Sequence, residues 1–244
     1  MLLKIIFIGL LTGSLIGTVG VGGILLTPLL MFFVGTELHI AQATSSFSFL
    51  FTGLVGIAVY ARQKTIAWGH VLWISLGIMP AAILGAKVNT SLSGNLLTII
   101  LAILIVFSGY HALSKRSPAS NTLPALNKAA LIMIGLGVGF GSSLTGTGGP
   151  VLLVPTLLLL QFMPLAAVGI SQAIQLPFAI FATIGFLLYG QIDFSLGITL
   201  GVVQAVGVVL GGKVAHALPH EKLRAVVALT LVGVGLLMIG RVLW

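Results

Sequence analysis

Gly146-Thr147-Gly148-Gly149-Pro150 lies in the middle of an apolar stretch that runs over residues 129–161. Adjacent glycines destabilise a helix, and proline is favoured in the first turn of a new one. A single helix of about 33 residues would extend about 50 Å, whereas the hydrocarbon core of a membrane is about 30 Å thick. The stretch therefore predicts a helix, an unwound loop and a second helix.

A similar break, Gly20-Val21-Gly22-Gly23, lies 126 residues earlier, within the apolar stretch 2–34. At the same offset Gly13 matches Gly139, and Leu-Gly-Ala-Lys-Val at 84–88 matches Leu-Gly-Gly-Lys-Val at 210–214. Chance similarity between apolar segments aligns leucines, but it does not align glycines and a lysine at one offset. The pattern predicts an internal duplication.

The duplication divides the chain into a first membrane repeat (1–116), a linker (117–127) and a second membrane repeat (128–244). The repeats are parallel if each long stretch crosses the membrane once, and inverted if each is a re-entrant hairpin. Of the 11 Lys and Arg residues, the parallel arrangement places seven on one side and four on the other, and the inverted one eight and three. Because basic residues accumulate on the cytoplasmic side, we favour inverted repeats.

The composition is that of an integral membrane protein. Of 244 residues, 58% are hydrophobic and 6% charged, and the mean hydropathy is +1.24, whereas soluble domains contain about 25% charged residues. The alternation typical of a β-barrel is missing, so the spans are predicted to be helical and the fold all-α. The eight apolar segments are 2–34, 41–60, 66–88, 95–113, 129–161, 166–189, 194–216 and 223–243.

Several function classes are disfavoured. The net charge of +8 comes from Lys and Arg between apolar segments, which is typical of membrane orientation and not of nucleic-acid binding. Glu37, Asp193 and Glu221 are the only acidic residues, and all lie at loops, so an intramembrane carboxylate relay is missing. We expect no catalytic group, metal or cofactor, and therefore no enzyme. Gly141-Ser142-Ser143 suggests a serine protease only superficially, because no mid-segment histidine is available as its base.

The glycine-rich breaks are candidates for an anion site. Unwound backbone within a membrane is tolerated only inside protein or beside a wet cavity, and a helix that restarts there offers free N–H groups and a positive dipole end. Glycines at four-residue spacing, Gly9/Gly13 and Gly135/Gly139, are instead interpreted as helix-packing positions.

Polar side chains near the breaks have two interpretations each. Thr44, Ser45, Ser171 and Gln172 follow the broken segments and serve either as interhelical contacts or as lining of the site. Lys87 and Lys213 either extend to the membrane interface or act as counter-charges for an anion.

The two glycine motifs, 20–28 and 146–155, together with 41–45, 167–171, Gly190-Gln191-Ile192-Asp193 and the Leu-Gly-Gly-Lys before Leu218-Pro219, resemble the sulfite exporter TauE/SafE family of bacterial permeases. The resemblance covers nearly the whole chain. It implies a duplicated module that moves small sulfur-containing anions, such as sulfite or organosulfonates, across the cytoplasmic membrane.

We therefore expect a secondary transporter in the bacterial cytoplasmic membrane, with a small anion and the lipid bilayer as its partners and the proton as the default coupling ion. A passive anion channel and a non-transporting membrane scaffold are the alternatives. The predicted substrate-binding residues are Gly20, Gly22, Gly23, Ile24, Thr44, Ser45, Thr145, Thr147, Gly148, Gly149, Pro150, Ser171 and Gln172.

Overall fold

The computed structural model describes residues 2–91, 103, 106, 107, 110, 124 and 126–243. Within these residues the regular structure is entirely helical. The helices are α1 (Leu2–Val19), α2 (Gly23–Val34), α3 (Leu38–Arg62), α4 (Trp68–Asn89), α5 (Lys128–Thr145), α6 (Gly149–Leu159), α7 (Pro164–Tyr189), α8 (Phe194–Ala217) and α9 (His220–Leu243).

The helix boundaries recur at the offset seen in the sequence. Each of α5 to α8 begins 126 residues after its counterpart among α1 to α4. Local signals fix several of these boundaries. Asn127 and Asp193 accept hydrogen bonds from the N–H groups of Ala130 and Leu196 at the starts of α5 and α8, as N-cap residues do.

Seven of the eight predicted apolar segments coincide with these helices, and both long segments are broken where the glycines predict. The segment 95–113 and the linker 117–127 fall largely outside the described residues. Six of the described helices are long and apolar enough to span a membrane, whereas α2 and α6 are shorter. Large apolar side chains cover the outside, including Leu3 and Phe32, which are 80% and 74% exposed, as expected for a surface that faces lipid.

Each short helix folds back along the longer helix before it. A Cβ atom on Gly22 would overlap the carbonyl oxygen of Thr12, and Phe33 near the end of α2 lines the same surface groove as Leu3 at the start of α1. In the second half, a Cβ on Gly141 would lie 2.8 Å from Cδ1 of Leu152. Each broken segment is therefore a helical hairpin.

Glycines bring the long helices together in two parallel pairs. In the pair α1–α8, Gly9 faces Val203 and Gly17 faces Val208. In the pair α4–α5, Gly77 faces Gly135 and Gly85 faces Ser143. The packing interpretation of the four-residue glycine spacing is confirmed, since Gly13 and Gly139 also contact the neighbouring backbone, at Gln204 and Ile78.

The centre of the molecule is the crossing of α3 and α7, which run antiparallel. Gln175 donates from Nε2 to Oγ1 of Thr52 at 2.6 Å, and Gly56, one turn later on α3, contacts Gln172. At one end of the bundle, Nδ1 of His39 lies 3.2 Å from Oδ1 of Asn89. The glycine breaks lie against the same two helices, since Gly23 and Gly148 face Phe49 on α3 and Gly149 faces Ile174 on α7.

Candidate functional site

The two breaks lie in the buried centre and touch each other. A Cβ atom on Gly23 would overlap the carbonyl oxygen of Thr147, and one on Gly20 would lie 2.7 Å from Cγ2 of Val154 and 3.6 Å from Cβ of Pro150. Loops 126 residues apart in the sequence thus form a single contact region.

Three of the six glycines at the breaks are required by the backbone conformation. The φ angle is +77° at Gly20, +64° at Gly146 and +88° at Gly148, a region that residues with a Cβ atom seldom adopt. Gly22 has a helical φ of −62°, and there the requirement is space, because its Cβ would meet α1.

The helices that restart at the breaks offer free donors. The first N–H groups of a helix have no partner within the helix. Among the described residues, none accepts a hydrogen bond from the N–H of Gly148 or Gly149. In the corresponding first turn of α2, the N–H of the buried Ile24 donates to the carbonyl of Val21 at 3.4 Å. Free N–H groups at a helix N-terminus favour an anion.

The ring of Phe49 lies between the two breaks. Its Cζ is 2.9 Å from a Cβ placed on Gly23, and its Cε2 is 3.0 Å from one placed on Gly148. The side chain is fully buried. Sequence reasoning missed Phe49, since one of 13 phenylalanines in apolar segments carries no distinguishing signal.

Two of the predicted hydroxyl groups are buried without a partner. Ser45 and Ser171 are fully buried, and within the described part of the chain neither Oγ atom makes a hydrogen bond. Buried hydroxyls are normally paired. The two serines occupy equivalent positions on α3 and α7, so each half of the molecule contributes one of them. Further buried hydroxyls without a partner among the described residues are those of Thr27, Ser142, Ser143 and Thr183.

The predicted threonines make contacts within the protein. Oγ1 of Thr44 accepts from the N–H of Asp193 at 3.0 Å, which joins α3 to the start of α8. Thr145 donates to the carbonyl of Gly141 at 2.8 Å, and its Oγ1 lies 2.8 Å from Oγ1 of Thr147. Thr145 and Thr147 lie at the second break, whereas Thr44 acts as an interhelical contact.

Side-chain amides donate hydrogen bonds to the last carbonyl groups of α5, just before the second break. Nδ2 of Asn89 donates to the carbonyl of Leu144 at 2.6 Å and to Oε1 of Gln42 at 2.8 Å. Gln42 in turn donates from Nε2 to the carbonyl of Thr145 at 3.1 Å. The prediction omitted Asn89, although a lone amide at the end of an apolar segment is a usable signal.

The first break is held by different side chains. The hydroxyl of Tyr60 donates to the carbonyl of Gly17 at 2.5 Å, and Nε2 of Gln172 donates to the carbonyl of Ile16. Oε1 of Gln172 has no partner among the described residues. The last carbonyl groups of α1 and α5, which precede the two breaks, therefore accept hydrogen bonds from side chains of α3, α4 and α7.

Lys87 and Lys213 are not brought to the breaks. Both are exposed, and Nζ of Lys87 lies 5.6 Å from the centroid of the Tyr189 ring on the outside of the bundle. Long basic side chains extend in this way toward the membrane interface. Their positions fit this interpretation and not that of a counter-charge.

Comparison with known proteins gives matches whose names all describe membrane transport. Residues 5–238 match the family model described as "Sulfite exporter TauE/SafE". The chain is 29% identical to "Probable membrane transporter protein YjnA" of Bacillus subtilis, over 98% of this chain and 100% of that protein. It is equally similar, at 29%, to a "Probable membrane transporter protein" of Xylella fastidiosa, over 96% of this chain and 93% of the relative. No solved structure matches the chain significantly.

Proposed function

The chain belongs to the sulfite exporter TauE/SafE family, and from this premise we propose that it is a secondary transporter of a small sulfur oxyanion, either sulfite or an organosulfonate. It is a multi-pass bacterial membrane protein, and the names of its family and relatives are those of membrane transporters. The single observation that carries the proposal is the contact between the two glycine breaks, which brings the free N–H groups of Gly148 and Gly149 into the buried centre.

The chemistry of this region suits an anion. Backbone N–H groups at Gly148 and Gly149 and the helix N-termini supply positive potential without a fixed charge. The unpartnered hydroxyls of Ser45 and Ser171 supply further donors to oxygen atoms. Because the ring of Phe49 occupies the space between the breaks, the anion binds after this ring moves.

We further propose that the two halves are inverted repeats. The equivalent helices α3 and α7 run antiparallel, judged by the contacts of Thr52 with Gln175 and of Gly56 with Gln172. At the start of α5, Nζ of Lys128 lies 4.8 Å from the ring of Trp73, whereas α1 starts at the opposite end of the bundle. Inverted repeats around a midplane site are a common design of secondary transporters, which expose the site by rocking one half against the other.

Counterflow in proteoliposomes tests the proposed function. Vesicles that contain the purified protein and unlabelled sulfite are expected to take up radiolabelled sulfite transiently, with a saturable rate that internal substrate accelerates. Methanesulfonate inside parallel vesicles tests the organosulfonate alternative, and protein-free vesicles give the background. Flux without saturation or acceleration by internal substrate would indicate a channel, and no flux of either anion would remove the substrate assignment.

Removing the unpaired hydroxyls is expected to weaken substrate binding. A hydrogen bond to a charged group contributes about 1.5–3 kcal/mol, so Ser45→Ala and Ser171→Ala should each raise the apparent KM for sulfite about tenfold or more. Ser48→Ala is the matched control, because its hydroxyl already donates to the carbonyl of Ser45 at 2.7 Å. Unchanged KM values in both alanine variants would place the anion elsewhere.

A further inference from the structure

Each of the two parallel helix pairs joins helices from different sequence repeats. The first repeat supplies α1 and α4, and the second repeat supplies α8 and α5, their partners. Within both pairs, glycines meet the backbone of the partner helix: a Cβ on Gly13 would lie 2.7 Å from Cα of Gln204, and one on Gly139 would lie 2.8 Å from Cα of Ile78. The glycines with such backbone contacts are Gly13, Gly17, Gly207 and Gly211 between α1 and α8, and Gly77, Gly85, Gly135 and Gly139 between α4 and α5.

Hydrogen bonds join the same helices. In the pair α1–α8, Nε2 of Gln204 donates to Oγ1 of Thr12 at 3.1 Å, and in the pair α4–α5, Nδ2 of Asn89 donates to the carbonyl of Leu144 at 2.6 Å. Helices with interlocked backbones cannot slide along each other unless they first separate. Each pair is therefore one rigid unit.

The short helices belong to these units. Gly22, just before α2, lies against the backbone of α1, with 2.7 Å between its Cβ position and the N atom of Ile16, and Gly141 on α5 lies against Leu152 on α6. We call α1, α2 and α8 the first body, and α4, α5 and α6 the second body. Each body contains helices from both repeats and carries one of the two glycine breaks.

The first body touches α3 through side chains instead. A Cβ on Gly197 of α8 would lie 2.6 Å from Cδ1 of Phe47, and one on Gly212 would lie 2.6 Å from Cγ1 of Val59. Side chains that fill the space above a glycine can change rotamer, whereas a backbone cannot. An interface of this kind therefore permits the small sliding motions by which packed helices shift.

The second body touches α7 in the equivalent way. At the offset of 126, Val59 and Gly212 correspond to Gly185 and Ala86, and a Cβ on Gly185 would lie 2.6 Å from Cβ of Ala86. The backbone of Ile83 follows at 3.1 Å from the same position, which is a looser contact than those between α4 and α5.

The crossing of α3 and α7 is a third unit. A Cβ on Gly53 would lie 2.8 Å from the N atom of Leu176, and Gln175 binds Thr52 beside it. Side chains of α3 and α7 also bind the last carbonyl groups of α1 and α5. A shift of either body along the crossing exchanges these hydrogen bonds.

We propose that transport moves the two bodies relative to the crossing of α3 and α7, and not one sequence repeat against the other, an assignment that rests on the proposed transport function. Movement of whole repeats would separate α1 from α8 and α4 from α5, and would open every backbone contact within these pairs. Movement of the bodies keeps those contacts. It separates the two glycine breaks, one on each body, so that an anion held between them becomes accessible.

Two engineered disulfides test the assignment, since the chain contains no cysteine of its own. Gly9→Cys with Val203→Cys links α1 to α8 within the first body, at Cβ positions 2.9 Å apart, and Val59→Cys with Gly212→Cys links α3 to α8, at 3.7 Å. Bridged cysteines have Cβ atoms about 3.8 Å apart on average. Each variant replaces one glycine and one valine, so the two are matched, and each is compared with its own reduced form.

Sulfite counterflow is the first measurement. Because a required conformational step limits turnover, oxidised Val59→Cys/Gly212→Cys should carry out counterflow more than about tenfold more slowly than its reduced form. Oxidised Gly9→Cys/Val203→Cys should keep more than about half of the rate of its reduced form, since the linked helices move together. Loss of flux in both oxidised forms, retention in both, or the reverse pattern overturns the assignment.

Distances between spin labels provide a measurement that needs no transport. Leu3, Leu84 and Leu210 are 80%, 56% and 51% exposed, so a label replaces each without entering the core. In lipid nanodiscs, labels at Leu3→Cys and Leu210→Cys, both in the first body, should give one narrow distance. Labels at Leu84→Cys and Leu210→Cys, on different bodies, should give a broader distribution.

The two measurements separate failure of this assignment from failure of the proposed function. Equal widths for the two labelled pairs overturn the assignment, whatever the transported anion is. A wild type without sulfite or organosulfonate counterflow instead refutes the proposed function, and the label distances alone then decide whether the two bodies move as units.

Discussion

Sulfite counterflow is expected to fall more than about tenfold in Gly148→Ala, while the protein still inserts into the membrane. The φ angle of +88° at Gly148 is strained for any residue with a Cβ atom, at a cost of about 1–3 kcal/mol. The added methyl group would also lie 3.0 Å from Cε2 of Phe49, in the space that the anion is proposed to enter. Initial counterflow rates, normalised to the amount of reconstituted protein, measure the effect.

Gly35→Ala separates backbone strain from the loss of space. Gly35 has a φ angle of +80°, and no atom lies within 4 Å of its Cβ position. The variant should therefore carry comparable strain at the end of α2 without touching the breaks, and its flux should stay close to that of the wild type. Equal loss of flux in both variants would show that general destabilisation, and not the site, explains the result for Gly148→Ala.

Thermal unfolding of the detergent-solubilised protein is expected to shift to lower temperature in Gly135→Ala. A Cβ at this position would overlap the carbonyl oxygen of Ile74 and lie 3.2 Å from Cα of Gly77. Helices α4 and α5 must separate to admit it, and overpacking of this kind costs about 1–3 kcal/mol. The unfolding midpoint should fall by several degrees.

Gly137→Ala, two residues further along the same helix, is the control with the opposite expected sign. No atom lies within 4 Å of its Cβ position, and alanine is more favourable than glycine within a helix by about 0.5–1 kcal/mol. Its midpoint should stay constant or rise. If both variants unfold at the same temperature, close packing at Gly135 does not limit stability.

The breaks and the helix starts could be predicted because local sequence determines them. At the second break, adjacent glycines and Pro150 end one helix and start the next, whereas Gly211-Gly212 continue within α8. The offset of 126 carries each boundary into the other half. The predicted contact of the breaks with an anion remains a prediction. The contact between the breaks, by contrast, depends on the packing of residues that are far apart in the sequence, such as Gly23 and Thr147.

The side chains that close the breaks could not be predicted in the same way. Asn89 binds a carbonyl 55 residues away, and Tyr60 binds one 43 residues away. Tyr60 looks ordinary within its own segment, and the lone amide of Asn89 marks a polar position without indicating which carbonyl it binds. The sequence also left two interpretations open for the matched pair Lys87 and Lys213, since a repeat preserves an interfacial lysine as readily as a site lysine.

The unequal closure of the two breaks has an energetic consequence. Two identical inverted halves would give the forms open to either side of the membrane the same free energy, because each form would be the other turned over. Here Tyr60 and Gln172 hold one break, whereas Asn89 and Gln42 hold the other. If the halves are inverted as proposed, that degeneracy is broken, and we expect the transporter to have a preferred resting orientation even when substrate and ion concentrations are equal on both sides.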